Sequence, residues 1–382
     1  MTLLANQTLL TDRIAKIETL IVDLPTIRGH QLSMTTMTTQ SSVIVKIYTE
    51  GGVLGLGEAA TIGGLSYGPE SPEGMQLTID QYIAPLLIGQ SIASIKALKV
   101  RMAQNIRGNY FAKNAVETAL FDIQGKILNV PISTLLGGKV QDHLSVLWVL
   151  ASGDTEKDII EAKEMIASGR HKDFKLKIGR RPVKEDVAHV IAIKEALGEE
   201  SMVTVDVNQA WSEAEAIVGM QLLQDAGIDL VEQPLAQHEI AAQASLSERF
   251  NIPILADESV GLPYEGFNIA KIAGARAFAL KTAKSGGMLG VLALAEVAQA
   301  AGIGLYGGTM LEGSIATSAA IQAYSTLPRL EWGTELFSPL LLKDDIVVEP
   351  LQYRDYGVEV ADKPGLGLEL DEDKMKFYRR KS

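Results

Sequence analysis

Four short apolar runs between residues 174 and 259 each end in charged side chains, and this repeat constrains the fold more than any other feature of the chain. The runs are FKLKIG, VDVNQAW, VEQP and LADES. The last three deliver Asp206, Glu232 and Asp257, which are separated by 26 and 25 residues. One strand with its following helix and loops has about that length in a parallel α/β protein. The spacing therefore predicts neighbouring parallel strands whose acidic side chains meet at one end of the sheet.

The first run also predicts the direction of two ammonium groups. Its alternation places Phe174, Leu176 and Ile178 on one face of a strand, and Lys175 and Lys177 on the other. The lysines could form the solvated face of an edge strand, but a barrel strand that is covered by helices has no such face. We therefore expect both lysines to point into a barrel at its mouth, where barrel enzymes hold their catalytic groups.

A strand-and-helix unit recurs along the chain beyond residue 139 and predicts that barrel. Eight candidate strands lie at residues 147–151, 174–178, 202–207, 230–233, 254–257, 277–281, 304–307 and 331–334. Helical patterns separate most of them, and this alternation predicts an α/β fold with a parallel sheet closed into a barrel. Lys281 on the sixth strand and Glu335 after the eighth would join the same site.

The residues before 139 predict a different kind of structure, an α+β lobe. Residues 14–24 and 42–49 have the composition of strands, and a hairpin turn falls at 50–52. Helical periodicity follows and stops at the glycine pair 137–138. The predicted organisation is an N-terminal α+β domain at 1–138, a barrel at 139–337, and a C-terminal segment at 338–382 that packs back on the first domain.

One helical segment of the first lobe, NAVETALFDIQGKILN, carries an apolar stripe with two acidic neighbours. Ala115, Ala119 and Ile123 recur every four residues and form the stripe. Glu117 and Asp122 flank it, and we expect them to be solvated charges.

The stretch TIGGLSYGPESPEG at residues 61–74 supports two interpretations. Its content of Gly, Ser and Pro favours a surface loop. Ile62, Leu65 and Tyr67 favour a lid, because apolar residues on a mobile loop need something to cover. The residues alone leave both interpretations open.

Charge and composition exclude several classes of function. The 35 basic and 47 acidic side chains give a net charge of −12, which argues against a nucleic acid or membrane-surface partner. The chain has no cysteine, which excludes disulfides and thiolate chemistry and fits a cytoplasmic location. The N-terminus lacks the basic and apolar regions of a signal peptide, so we expect none. The histidines show no metal-binding spacing.

Acidic residues in the same phase of successive units predict a metal site at Asp206, Glu232 and Asp257. A single Asp after a strand is more often a helix N-cap than a ligand. Capping, however, does not require Asp, Glu and Asp behind strands that also end beside lysines. Oxygen ligands select a hard ion, Mg²⁺ or Mn²⁺. Asn208 and Glu258 are candidates for orienting the ligands.

A hard divalent ion flanked by lysines suits proton transfer at the carbon next to a carboxylate. The ion can stabilise the enolate that forms when that carbon loses its proton. Lys177 is the predicted base, and we expect the like charges of Lys175 and the ion to lower its pKa.

The motifs quoted above, together with ALKTAKSGG, GIGLYGGTMLEGS and WGTELFSPLLL, resemble the enolase superfamily in its muconate-lactonising subgroup. The resemblance extends from about residue 14 to the C-terminus. It implies an α+β capping domain over a modified (β/α)7β barrel, a bound Mn²⁺ or Mg²⁺ ion, and a homo-oligomer, usually an octamer. The implied reaction is the reversible lactonisation of cis,cis-muconate to muconolactone through a metal-stabilised enolate, a step of aromatic catabolism.

The resemblance also assigns a role to each candidate residue. The positions of the metal ligands are Asp206, Glu232 and Asp257. The catalytic positions are Lys177 as acid/base, Lys175 and Lys281 as its electrostatic partners, and Glu335 as the acid near the metal-bound carboxylate. The positions that face the substrate are Ile62 and Tyr67 on the lid and Phe337 after the eighth strand.

Alternative functions stay open. Enzymes of chlorinated muconates are the nearest rivals, although Ile62 and Phe337 fit the unchlorinated substrate. Racemases of mandelate type have a histidine in place of Lys281, and dipeptide epimerases have Asp-x-Asp where this chain has Gly333-Thr334-Glu335. A non-catalytic, metal-stabilised barrel is a remote alternative, because such a protein would not need the lysines.

Overall fold

The computed structural model describes residues 9–381, and its N-terminal lobe contains an antiparallel sheet of three strands. Its strands are β1 (Ile14–Gln31), β2 (Thr36–Thr49) and β3 (Leu54–Ala60), and the turn between β2 and β3 falls at 50–52 as predicted. The first two strands are longer than predicted, because pairing resumes beyond an irregularity between Pro25 and His30. The signal-peptide prediction concerns residues that lie mostly outside the described range.

Helices follow this sheet and pack against it. They are α1 (Pro72–Thr78), a π-helical turn (Ile79–Ile83), α2 (Ala84–Leu87), α3 (Ile95–Asn105), α4 (Tyr110–Leu128) and α5 (Ile132–Leu135). Helix α4 lies directly on β3, where a Cβ atom added to Gly57 would be 1.9 Å from the carbonyl oxygen of Ala115. Only glycine fits at such a close approach of two backbones.

Helix α4 is buried along most of its length, and the expectation that Glu117 and Asp122 are solvated charges is wrong. Both carboxylates are fully buried. Glu117 pairs with Lys99 at 2.7 Å and accepts the backbone N–H of Leu289, at the start of a barrel helix, at 2.9 Å. A buried charge is tolerated when it is paired and hydrogen-bonded, so Glu117 connects the N-terminal lobe to the barrel.

Asp122 makes a second connection of this kind, between parts of the chain that are far apart in sequence. Its carboxylate pairs with Lys126 at 2.6 Å. It also accepts the backbone N–H groups of Leu56 and Leu366, each at 2.9 Å. One side chain therefore links β3, α4 and the C-terminal segment.

A parallel sheet of seven strands lies within the described residues and forms the barrel. Its strands in spatial order are β11 (Gly304–Gly307), β10 (Ala277–Leu280), β9 (Ile254–Ala256), β8 (Leu230–Glu232), β7 (Val203–Asp206), β6 (Phe174–Lys177) and β5 (Trp148–Leu150). The intervening helices are α6 (Thr155–Ala167), α7 (Val183–Leu197), α8 (Glu213–Asp225), α9 (Ile240–Arg249), α10 (Pro263–Lys271), α11 (Met288–Ala300) and α12 (Ser314–Tyr324). Among the described helices, none is both long and apolar enough to cross a membrane.

The predicted eighth strand at 331–334 is wrong as a strand, although this segment still closes the barrel. Thr334 forms isolated parallel bridges to Gly307 of β11 and to Val146 just before β5. Its carbonyl accepts the N–H of Leu147 at 2.8 Å, and its own N–H donates to Ser145 at 3.1 Å. Two edges of the sheet thus meet through one residue, which gives the predicted α/β architecture of a modified (β/α)7β barrel with an N-terminal α+β capping domain.

The residues after 337 return to the N-terminal sheet. They form α13 (Ser338–Leu341), β12 (Tyr353–Arg354), β13 (Gly357–Glu359) and α14 (Glu372–Tyr378), and β13 pairs with β4 (His143–Ser145). Leu342 and Arg379 form bridges to β1, and Arg380 pairs with Asp23 of β1 at 2.6 Å. These contacts support the domain boundaries at 138 and 337, which stay a prediction.

We predict that Asp122→Ala lowers the free energy of unfolding by about 3 to 5 kcal/mol, because it leaves Lys126 and two buried N–H groups without their partner. Urea denaturation followed by circular dichroism measures the loss. Asp373→Ala is the matched control, since Asp373 is exposed on α14 and should change stability by less than about 0.5 kcal/mol. Equal effects of the two substitutions would contradict the role of Asp122.

We also predict that His171 makes the fold sensitive to acid. Burial lowers the pKa of His171 to about 4, against the weaker raising effect of its hydrogen bond to the Val146 carbonyl. Because burial depresses the folded-state pKa of His171, the neutral ring contributes its full share of the unfolding free energy above about pH 6.5. That contribution is lost as the pH falls towards 4, since the unfolded chain binds the proton first. His171→Gln should flatten the fall in unfolding free energy between pH 6.5 and 4.5, by at most about 1.4 kcal/mol per pH unit. The exposed His238→Gln serves as control, and an unchanged slope in the His171 variant would refute the prediction.

Candidate active site

The three predicted acidic residues lie side by side at the carboxyl ends of neighbouring strands. Asp206 ends β7 and pairs in register with Glu232, which ends β8. Asp257 follows β9 directly. All three side chains are buried. The parallel register therefore brings the three carboxylates together at the mouth of the barrel, as their spacing predicts.

Lysine ammonium groups contact each of these carboxylates. Lys177 donates to Asp206 at 2.5 Å and Lys175 donates to Glu232 at 2.5 Å. Lys281 donates to Asp257 at 2.7 Å. The three predicted lysines thus point into the barrel from β6 and from the end of β10, and none forms a solvated face.

Glu335 joins this network from the residue that follows the bridge at Thr334. Its carboxylate accepts a hydrogen bond from Lys175 and another from the hydroxyl of Tyr306 on β11, the latter at 2.5 Å. Burial acts to raise the pKa of Glu335, but the positive charges of Lys175, Lys177 and Lys281 lower it to about 2. Glu335 is therefore an anion in a ring of cations.

Two residues of the network were missed by the sequence reasoning. Lys284 donates to Asp257 Oδ1 at 2.5 Å and lies three residues beyond Lys281 in the quoted ALKTAKSGG motif. Tyr306 bonds Glu335, and its ring lies under the Lys175 ammonium at 4.2 Å from the centroid. The second lysine after the sixth strand could have indicated Lys284. The sequence of β11, in contrast, gives no sign that Tyr306 contacts the site.

The expected lowering of the Lys177 pKa depends on the ion as well as on Lys175, and the protein's own groups act in the opposite direction. Burial does act to lower it, but the negative charges of Asp206, Glu335 and Glu232 outweigh burial and raise the pKa above the ordinary value of lysine. In this arrangement Lys177 is held as an ammonium ion. The sequence argument weighed the neighbouring cations and omitted the anion that contacts the lysine.

The segment at 61–74, which we call the lid, covers the network, so the surface-loop interpretation alone is insufficient. The hydroxyl of Tyr67 donates to Asp257 Oδ2 at 2.6 Å and accepts from Lys281 at 2.8 Å. Gly63 and Gly64 at its start have φ of 60° and 68°, a left-handed conformation that favours glycine. A cavity of about 180 Å³ lies beside Tyr67 and Lys284, between the lid and the barrel loops.

Ile62 and Phe337, the other two predicted substrate contacts, are both buried. Ile62 lies at the start of the lid. The ring of Phe337 packs edge-on against Trp148 at 5.0 Å and lies 6.2 Å from the ring of His30. Phe337 thus belongs to an aromatic cluster and lies two residues after Glu335 of the charged network.

The loop between β1 and β2 forms a second cover, which the sequence reasoning did not identify. Gln31 donates its N–H to the Ala151 carbonyl at 3.3 Å, at the carboxyl end of β5. Ser33 donates to the Asn208 carbonyl at 3.4 Å, just beyond β7. The extension of β1 and β2 past their predicted bounds carries this loop onto the barrel mouth.

The donor set fits a hard divalent ion. Burial and the negative charges of Asp206 and Asp257 raise the pKa of Glu232 well above its ordinary value, which is the repulsion that a shared cation would offset. Within residues 9–381, Asn208 Oδ1 and Glu258 Oε2 are buried without a hydrogen-bond partner beside these acids. Asn208 also donates to Asp206 at 3.0 Å and to Glu258 at 3.3 Å, which suits the predicted orienting role of both residues.

The carboxylates are not, however, arranged as a ready metal cage. Over the described range, no three acidic or histidine side chains are placed so that they could hold an ion together. Their oxygens face lysine ammonium groups instead, and Asp206, Glu232 and Asp257 each have such a partner. Shared coordination therefore requires these three side chains to turn from the lysines towards a common centre.

Comparison with known proteins agrees with this architecture. The family model described as "Mandelate racemase / muconate lactonizing enzyme, N-terminal domain" matches residues 16–137, and that described as "Enolase C-terminal domain-like" matches residues 158–374. Muconate cycloisomerase 1 of Acinetobacter baylyi is 54% identical over 95% of this chain and 99% of its own length. Muconate cycloisomerase 1 of Pseudomonas putida is 51% identical over 96% and 99%.

Solved structures and a second group of relatives extend the comparison. The muconate lactonizing enzyme of Pseudomonas fluorescens, complexed with muconolactone, superposes with a TM-score of 0.96 at 53% identity and covers 97% of this chain and 100% of that one. A chloromuconate cycloisomerase of Delftia acidovorans is 41% identical over 96% of this chain and 99% of its own length. The chain therefore belongs to the family of mandelate racemase and muconate lactonizing enzyme, within the enolase superfamily.

Proposed function

We propose that this protein is an enzyme that catalyses the reversible lactonisation of cis,cis-muconate to muconolactone in aromatic catabolism. The observation that carries the proposal is the buried pairing of three acidic residues with three lysines at the barrel mouth, in a chain about half identical to enzymes named for this reaction. A structural barrel gains nothing from burying that many paired charges, because apolar residues of similar volume would be as stable.

Asp206, Glu232 and Asp257 are the proposed ligands of a divalent ion. Members of the enolase superfamily use such a metal, and we propose Mn²⁺ or Mg²⁺ because all three donors are carboxylate oxygens. When bound, the ion supplies fixed positive charge beside the substrate carboxylate on which negative charge grows during the reaction. Asn208 and Glu258 would hold the ligands in position.

Lys177 is the proposed proton donor in the direction of lactone formation. One carboxylate oxygen of muconate attacks C4, the double bond between C4 and C5 opens, and C5 then takes a proton. Lys177 ends β6 at the barrel mouth, and lysine in its ordinary ammonium form can donate a proton. In the reverse direction the same nitrogen takes the proton from C5.

We assign electrostatic and positioning roles to three further residues, Lys175, Lys281 and Glu335. Lys281 presents an ammonium group from β10, opposite the one on Lys177, and would stabilise negative charge as it grows on the substrate. Lys175 and Glu335 form a buried pair, and Tyr306 donates to the same carboxylate at 2.5 Å. This pair fixes the position of Glu335 near the reacting end of the substrate.

Chlorinated muconates are the second candidate substrate. The chloromuconate cycloisomerase of Delftia acidovorans is 41% identical to this chain, against 51% and 54% for the two muconate cycloisomerases. Ile62 and Phe337 also fit the unchlorinated substrate. A cytoplasmic location, an octameric homo-oligomer, and the choice between Mn²⁺ and Mg²⁺ stay predictions.

We predict that the purified protein with Mn²⁺ removes the ultraviolet absorbance of cis,cis-muconate, and that dialysis against a chelator stops this. Asp206→Asn should abolish the metal-dependent turnover, because it removes one anionic ligand. Direct titration with Mn²⁺ should show weaker binding to this variant. Full activity in excess chelator would refute the metal assignment.

Lys177→Ala is predicted to lower kcat by about 10²- to 10⁴-fold, the usual contribution of a general acid–base group. It should also stop exchange of the muconolactone proton at C5 with deuterated water, which nuclear magnetic resonance measures. Lys281→Ala should slow turnover but allow exchange, because Lys177 is still present. The opposite pattern of exchange would place the proton donor on the other face of the substrate.

Tyr67→Phe is predicted to raise KM several-fold with little change in stability. The hydroxyl contacts Asp257 and Lys281 when the lid is closed, whereas phenylalanine keeps the ring that packs against the core. Steady-state kinetics and thermal unfolding separate the two effects. Leu65→Ala is a control on the exposed part of the same lid, and the role of Tyr67 fails if both variants keep the parent KM.

A further inference from the structure

His30 stands out among the buried polar side chains because it faces the proposed site without a partner. It lies near the end of β1 and is 1% exposed. Within the described residues 9–381, neither of its ring nitrogens has a hydrogen-bond partner. A buried imidazole always carries at least one N–H, and leaving such a donor unsatisfied costs stability. An unpaired donor at this place therefore points to a ligand.

The surroundings of His30 place it over the barrel mouth. Its ring lies 6.2 Å from the ring of Phe337, and the charges of Lys177 and Glu335 are near enough to act on it. The end of β1 that carries it is fixed to the barrel, since the Arg28 side chain donates to the Val149 carbonyl at 3.0 Å. The backbone N–H of Gln31 donates to the Ala151 carbonyl, at the carboxyl end of the same strand, at 3.3 Å. His30 is thus held from both sides.

The ring is neutral in this environment. Burial, together with the positive charges of Lys177 and Arg28, lowers the pKa of His30 to about 3. A neutral imidazole donates one hydrogen bond and brings no net charge. This matters for a nucleophilic carboxylate, because a full cation at that oxygen would stabilise the reactant more than the transition state, in which the negative charge has moved away.

We propose that His30 binds the carboxylate of muconate that attacks C4, the one at the far end of the substrate from the acidic residues. The inference rests on the proposed function and adds a residue to it. The metal ligands and lysines account for the end of the substrate that gains charge. Within the described residues, His30 is an unpartnered donor at the end of β1, beside the loop that covers the other side. The N–H of His30 orients the attacking carboxylate. After ring closure, the same N–H donates to an oxygen of the lactone.

Binding of two unreactive acids tests the proposal. Adipate has both carboxylates of muconate, and hexanoate has the same length with only one. The ratio of their Kd values for the Mn²⁺-loaded protein, measured by calorimetry, isolates the contribution of the second carboxylate. His30→Phe keeps a ring against Phe337 and removes the donor, so the preference for adipate should fall by about 10- to 100-fold, the usual effect of a hydrogen bond to a charged group. His30→Gln, which keeps an N–H donor, should recover part of it.

His171→Leu provides the matched control, because His171 is a second buried histidine with an unpartnered ring nitrogen in the described range and precedes the amino end of β6, whereas the site lies at the carboxyl ends of the strands. It should leave the ratio of Kd values unchanged. If His30→Phe does not fold, His30→Leu gives the same comparison. An unchanged preference for adipate in the folded variant, with muconate turnover intact in the parent protein, overturns the role of His30 alone. Absence of muconate turnover in the parent overturns the proposed function instead.

Discussion

The pairing of buried lysines with buried carboxylates at the barrel mouth is the interaction on which the rest of the structure depends. Removing these charges from water is costly, and the cost is offset only when each charge meets an opposite charge at hydrogen-bond distance. The parallel register provides that match, since Lys177 lies directly beside Asp206 and Asp206 beside Glu232. The same register that holds the backbone together therefore sets the chemistry of the site.

Local periodicity explains why so much of the site could be predicted. Strand alternation fixed the direction of Lys175 and Lys177, and the repeat length brought Asp206 and Asp257 to one end of the sheet. These inferences need only the geometry of one strand or one repeat. Seven of the eight predicted strands are present for the same reason, with ends that differ from the prediction by at most one residue.

The features that could not be predicted depend on partners that are far away in sequence. Burial of Glu117 depends on a backbone N–H more than 150 residues later, and the pKa of Lys177 depends on Asp206 of the next strand. Closure at Thr334 needs only two bridges, which is too short a contact to produce a strand pattern. The β1–β2 loop reaches the site because β1 and β2 pair again beyond Pro25. No residue in the loop predicts this continued pairing from the sequence.

The connection made by Asp122 has a consequence for how the protein is made on the ribosome. The N–H of Leu366 donates to that carboxylate, and Arg380 pairs with Asp23 of the first strand, so the N-terminal lobe is completed by residues that are synthesised after the whole barrel. Domains that fold during translation generally do so from the N-terminus onward. Here the barrel can close before the N-terminal lobe, which covers its mouth, has formed its contacts with Leu366 and Arg380. Translation thus orders the assembly, with the strands that carry the lysines and acids formed before their cover is secured.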